Sequence, residues 1–302
     1  MFPYTGDYIE HIEGDKNNFK YYTFTPRPLM NGDMFKMDDE LTALLIAAHH
    51  NIDFLEGLVK YAPNKDAFGE LMLLKTFLSN VRTNLKSYNP TAPGAVLPAL
   101  VDIAAYLYND KTTDSLIQAA LVHYQFEVIH PFEQYNTIQY NGIVGRILVP
   151  MVLSNSIGEA LPMLRLSEYL YKNKNEYFDL LTTTQYSGGY IRWIKFWVNA
   201  VGESAKRSAK LIIRYEDIMV KDKKQLKDIQ LLPKSTWLVY DYLKRFPVTS
   251  ISHAAKQLDS SFNSISNALS LLRENGIVTQ QDHNVRNRVW EYAELVYLLV
   301  QG

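Results

Sequence analysis

Apolar residues recur at three- and four-residue intervals over most of this chain, the spacing of helices with one face turned inward. Leu41, Leu44, Leu45, Ala48, Ile52, Leu55 and Val59 form one such stripe, and Asp38, Asp39 and Glu40 place negative charge where that helix begins. Phe68, Leu71, Leu74, Leu78, Val81 and Leu85 repeat the pattern, which Tyr88-Asn89-Pro90-Thr91-Ala92-Pro93-Gly94 interrupts. Further helices are predicted at Val96–Tyr108, Ser115–Val128, Gly142–Ile157, Leu166–Leu181 and Gly189–Ile213. Residues 1–36 read as an irregular arm, in which only Tyr21–Phe24 alternates like a short strand before Pro26 and Pro28 break it. No run of alternating strands is expected before residue 276, so the body reads as all-α.

The pattern changes again near residue 221. Lys221, Lys223, Lys224 and Lys227 make a basic polar stretch that reads as a linker over 221–230 or as an exposed helix end. Beyond it, Lys234–Arg245, Ile251–Leu258 and Asn263–Arg273 have the spacing of three short helices, and Gly276 is placed to cap the third. Ile277–Thr279 and Arg288–Tyr292 then alternate like the strands of a hairpin. Three helices followed by a hairpin is the order of a winged helix-turn-helix domain over 231–302. Asn263 and Asn267 on its third helix, with Arg286 and Arg288 at the hairpin, are the candidate DNA contacts. That module holds seven Lys or Arg against six Asp or Glu, little positive charge for a partner bound through phosphates.

Composition narrows the chemistry. Hydrophobic residues make up 47% of the 302 and charged residues 21%, enough apolar material for real cores in about two domains. The net charge is −1, so bulk charge draws the whole chain to neither nucleic acid nor anionic membrane. The sequence has no cysteine, which excludes disulfides, thiol catalysis and thiolate metal sites. The longest apolar run, Leu41–Ala48, is far below the ~18 residues of a membrane span. The polar, acidic start lacks a signal-peptide layout, so a soluble, cytoplasmic protein without membrane partners is expected.

The candidate chemistry lies between two predicted helices. His123-Tyr124-Gln125-Phe126-Glu127-Val128-Ile129-His130-Pro131-Phe132-Glu133 ends one, and Val144-Gly145-Arg146-Ile147-Leu148-Val149-Pro150 lies in the next. A loop before a helix N-terminus offers unpaired N–H groups to an anion, and a histidine beside it can move a proton. These residues resemble the Fic (Fido-domain) family, whose members transfer AMP from ATP to a protein hydroxyl. The resemblance extends to Tyr22–Leu29, to Leu161–Tyr169, to Trp193–Val198 and to Arg286–Trp290. It implies a mainly α, Fic-type helical fold with a C-terminal winged helix, arranged as an N-terminal region over 1–92, a core over 93–220, a linker over 221–230 and the winged helix over 231–302.

The family motif reads H-x-F-x-[DE]-[AG]-N-[GK]-R, followed by a second arginine. The resemblance makes His130 the base, and Asn136, Asn141, Gly142, Gly145 and Arg146 the nucleotide-binding residues. ATP is the implied ligand, with Mg2+ as its counter-ion. Here, however, Gln134-Tyr135-Asn136-Thr137-Ile138 and Gln139-Tyr140-Asn141-Gly142-Ile143 form a tandem repeat over the motif's centre. Gln134 or Gln139 replaces the acidic metal ligand and brings no charge to hold a dication against phosphate, so no metal ligand is expected. Tyrosine replaces the glycine where backbone must approach phosphate, and isoleucine replaces the arginine that grips it. Ser79, Thr83 and Asn84 match the family's inhibitory helix, with Thr83 where its glutamate would stand. Only Leu85–Ala95 separates that helix from the next, too short for the family's target-docking hairpin. The expected reading is a Fic-like protein with weak, altered or lost AMP transfer and a regulatory role; an active adenylyltransferase using His130 and a winged-helix DNA-binding regulator are the alternatives. The implied partners are a target or regulatory protein, DNA through the winged helix, and a second copy in a homodimer.

Overall fold

The computed structural model describes residues 5–13, 19–30, 34–78, 91–131, 145, 148–154, 157–281 and 288–301. The protein is mainly α and divides into two compact units, one built from 1–56 and 79–206, the other from 57–78 and 207–302.

The first unit opens with a feature the sequence pattern does not predict. Strands β1 (Gly6–Glu13) and β2 (Phe19–Pro26) form an antiparallel hairpin, in register from Gly6 opposite Pro26 to Glu13 opposite Phe19. The arm is therefore not irregular, and this body is not purely helical. Tyr8 and Phe24 pack across the pair with ring centroids 5.0 Å apart, the kind of cross-strand aromatic contact that stabilises a hairpin. At its base the Arg27 N–H donates to the Thr5 carbonyl at 3.0 Å, and the Thr91 hydroxyl donates to the Phe24 carbonyl at 2.8 Å.

Helix α1 (Asp39–Tyr61) starts where the acidic triplet predicts, because the Asp38 carboxylate accepts from the Leu41 N–H at 2.8 Å and caps the first turn. Within the first unit Leu41, Leu45, Ala48, Ile52 and Leu55 form its buried stripe. Helix α2 (Lys65–Leu78) follows, then α3 (Pro93–Asn109) and α4 (Ser115–Ile129). Residues 148–154 are helical, and Gly158–Met163 is a short 3-10 turn. The single helix expected over Leu166–Leu181 is two, α5 (Leu166–Lys172) and α6 (Lys174–Ser187), parted at Asn173. Helix α7 (Ile191–Lys227) is much longer than expected. The basic stretch 221–227 is its last two turns, the helix-end reading rather than the linker. Gly202 in α7 lets the helices of the first unit close up: a Cβ there would stand 3.0 Å from the Ala48 Cα.

In the second unit α8 (Lys234–Leu243), β3 (Val248–Ser250), α9 (Ile251–Gln257), α10 (Phe262–Glu274), β4 (Thr279–Gln280), β5 (Val289–Glu291) and α11 (Ala293–Gln301) follow in order. The strands form an antiparallel sheet in the order β3-β5-β4, so β3 adds a strand to the expected hairpin. Val239, Leu243, Ile265, Leu269, Leu272, Trp290 and Leu298 make the core beneath it. Gly276, at φ +72°, takes the left-handed position after α10 that its sequence context predicts. Among the described residues no helix is long and apolar enough to cross a membrane.

The two kinds of helical glycine predict opposite effects. Gly57 in α1 has open space around it, so Gly57→Ala raises the unfolding free energy by ~0.5–1 kcal/mol through chain entropy. Gly202→Leu forces its side chain into Ala48 and lowers the unfolding free energy by ~1–3 kcal/mol, read as a lower urea midpoint.

Candidate active site

The site is built on α4. Asp114 caps this helix by accepting from the Leu116 N–H at 2.9 Å, and every residue from Leu116 to Ile129 except Gln118 is buried. A helix apolar on all sides must run through a core, and the few polar groups it carries must then find partners inside. Four connections hold it. The Gln125 amide donates to the Arg27 carbonyl at 2.7 Å, tying α4 to the hairpin base. The Ala120 carbonyl accepts from the Trp193 indole at 2.7 Å, tying it to α7.

His123 makes the third connection. It is 1% exposed, its Nδ1 lies 3.3 Å from the Gly145 carbonyl and its Nε2 2.9 Å from the Tyr177 hydroxyl. A carbonyl only accepts, so the neutral ring with its proton on Nδ1, and Nε2 accepting from Tyr177, satisfies both contacts. Trp193 and Trp197 enclose the ring, with centroids 6.2 and 4.5 Å away. One turn later comes Glu127, 2% exposed, whose carboxylate lies against Gly145; a Cβ at position 145 would overlap Glu127 Oε1. Gly145 is thus a glycine because backbone approaches a buried carboxylate there.

The fourth connection is His130, where α4 ends. Pro131 disfavours a right-handed helical conformation in the residue before it, and His130 takes the left-handed one, with φ 52° and ψ 58°. For a residue with a Cβ this costs roughly 1–2 kcal/mol. Its backbone N–H still reaches the Phe126 carbonyl at 3.2 Å. The imidazole is 7% exposed, and burial lowers its pKa below the ordinary histidine value, partly offset by a ring N–H donated to the Glu127 carbonyl. That hydrogen bond uses one ring nitrogen as a donor. In the neutral ring the other then carries a lone pair, which is the state a general base requires.

The structure thus brings two of the predicted site residues to one helix: His130 ends α4, and Gly145 is anchored to the α4 face bearing His123 and Glu127, two turns and one turn before His130. Asn136, Asn141, Gly142 and Arg146, the replaced ligand positions Gln134 and Gln139, and the inhibitory-helix residues Ser79, Thr83 and Asn84 lie outside the described residues. So does most of the short connection 85–95. Among the described residues no group of three or more His, Asp or Glu is arranged to hold a metal ion. Of the candidate DNA contacts, Asn263 and Asn267 are exposed one turn apart on α10, Arg288 is half-buried just before β5, and Arg286 lies outside the described residues. Sequence reasoning gives His123 and Glu127 no part in holding Gly145; the one available signal is their polarity inside an otherwise apolar helix.

No family model matches the chain. Among solved structures it is similar to a Fic family protein from Desulfovibrio desulfuricans G20, at 14% identity over 85% of this chain and 76% of that one, with a TM-score of 0.38. The Fic-like reading therefore rests on the residues of the chain.

The lowered pKa of His130 fixes a pH dependence. Below ~6.5 the unfolded chain takes up a proton that the folded one excludes, so stability falls as pH drops from there through the folded value. His130→Gln removes this component: the loss of urea midpoint between pH 7.5 and pH 5 is smaller in the variant than in the native protein.

Proposed function

We propose that this is a Fic-like protein that keeps its proton-accepting histidine but has lost most or all AMP transfer, its α body serving a regulatory role. The observation that carries the reading is a mismatch between two parts of one site. His130 is buried, its pKa is lowered by that burial, and it is held by the Glu127 carbonyl, as a base would be. The repeat over 134–143 brings glutamine, tyrosine and isoleucine where the family motif has its acid, glycine and arginine. A base alone does not align a triphosphate; phosphoryl chemistry depends on countercharge around the phosphates. Asn136, Asn141, Gly142, Gly145 and Arg146 remain as contacts for ATP, with one arginine in place of two.

A second reading concerns the C-terminal module, and the order helix, strand, two helices and hairpin with sheet order β3-β5-β4 favours it. On this reading residues 234–301 are a winged helix-turn-helix, with α9 and α10 as its helix pair and Asn263 and Asn267 on the face that reads a groove. The module is the output of the protein, towards DNA or a regulatory protein, and the α body supplies the control.

Incubation of the purified chain with ATP labelled on its α-phosphate, with Mg2+ or Mn2+ and a cell lysate, tests the first reading. No labelled protein above the His130→Ala background is expected. Label that His130→Ala abolishes would overturn it and establish the active-transferase alternative.

A further inference from the structure

The near-neutral C-terminal module leaves a question of charge. Residues 207–302 hold fourteen Lys and Arg against ten Asp and Glu, whereas the other 206 residues hold seventeen against twenty-two. The positive excess of residues 207–302 comes mainly from the end of α7, where over 207–227 Arg207, Lys210, Arg214, Lys221, Lys223, Lys224 and Lys227 stand against only Glu216, Asp217 and Asp222.

The structure leaves that stretch with more exposed bases than exposed acids. Glu216 is taken up by Asn64, whose backbone N–H and side-chain amide donate to it at 2.9 and 2.8 Å. Asp222 is 1% exposed and accepts from the hydroxyl of Tyr292, just after β5. Only Asp217 is left as an exposed acid along 207–227. On the basic side Lys221 pairs with Glu294, but Lys210, Arg214, Lys223, Lys224 and Lys227 are exposed and make no ion pair among the described residues. Residues 210, 214, 221 and 224 succeed one another by three, four or seven positions and so share one face, about 20 Å long at ~1.5 Å per residue, with Asp217 on the same face between Arg214 and Lys221.

This face belongs to the same unit as the helix pair. The Gln225 amide donates to the Asn275 carbonyl just after α10 at 2.6 Å, and Asp222 and Lys221 reach residues 292 and 294 just after β5. The final turns of α7 are therefore fixed to the module they precede.

We propose that the exposed basic face of α7 over 210–227 binds the phosphate backbone of double-stranded DNA, supplying the charge that the helix-turn-helix module lacks. This rests on the winged-helix reading for the choice of DNA over other polyanions, and is independent of whether the α body transfers AMP. Phosphate contacts contribute most non-specific affinity and set its salt dependence, whereas uncharged Asn263 and Asn267 offer base readout without affinity of that kind.

The test measures binding of the full chain to a fluorescent 30-base-pair duplex of random sequence between 50 and 200 mM NaCl. The native protein is expected to bind, with log affinity falling linearly against log salt. In the quadruple variant Lys210→Gln, Arg214→Gln, Lys224→Gln and Lys227→Gln, with circular dichroism confirming the fold, the slope becomes shallower by about 3 to 4, at ~0.9 for each phosphate no longer neutralised. The double variant Asn263→Ala and Asn267→Ala keeps the native slope; a flattened slope there contradicts assignment of the phosphate-binding charge to α7. No duplex binding at 50 mM, or a quadruple variant with the native slope, overturns the proposal. So does equal, charge-dependent binding to phosphatidylserine vesicles with none to duplex, which assigns the face to a membrane surface. Labelled-ATP incorporation, whatever its result, leaves these outcomes unchanged.

Discussion

The burial of α4 on all sides is the constraint on which the first unit depends. A helix that meets water only near its start cannot leave polar side chains to solvent, and His123 and Gln125 become fixed connections. Gln125 holds the base of the hairpin, His123 holds Gly145 and Tyr177, and the Ala120 carbonyl holds Trp193. The same burial lowers the pKa of the His130 imidazole below the ordinary histidine value, while a ring N–H is donated to the Glu127 carbonyl. In the proposed reading, the packing that stabilises the unit is thus also what prepares the base. It requires no ligand to do so, because the preparation comes from desolvation and a backbone carbonyl.

This separates two things a phosphate-transfer site needs. Proton transfer depends on the environment of a single side chain, which the core of the unit supplies. Charge stabilisation depends on residues of a loop, and loops accept insertions that cores do not. In the sequence the tandem pentapeptide over 134–143 follows the helix end at which the fixed histidine stands. In the proposed reading that division explains how one function is lost while the fold keeps the geometry of the other. A comparable division applies to charge in the second unit, where buried or bonded acids leave the lysines of α7 to define its surface.

Much of the fold is legible from spacing and punctuation. Asp38 and the Leu41–Leu55 stripe mark α1, His130-Pro131 marks the end of α4, and Gly276 marks the end of α10. The hairpin is not legible because Gly-Asp-Tyr-Ile-Glu-His-Ile-Glu over 6–13 has no clean alternation: both faces carry polar and apolar residues, and what fixes the strand is its pairing with β2. The run 221–227 resembles a linker because its exposed lysines outnumber the two inward residues, Asp222 and Leu226, that hold it as helix. Strand β3 is three residues long and follows a proline, too short for periodicity to reveal. At the candidate site the sequence points to His130 and Gly145, while the roles of His123 and Glu127 depend on contacts across 18 to 22 residues that no local pattern encodes.

The neutrality of His130 is the claim that most depends on this packing, and nuclear magnetic resonance of the ring nitrogens in histidine-labelled protein measures it directly, with His130→Gln assigning the signal. The expected result is a neutral ring at pH 7 with one protonated nitrogen in a hydrogen bond and a titration midpoint below ~6.5. A ring that titrates at or above that value, or that exchanges freely between its two neutral forms, would contradict a base prepared by burial and by the Glu127 carbonyl.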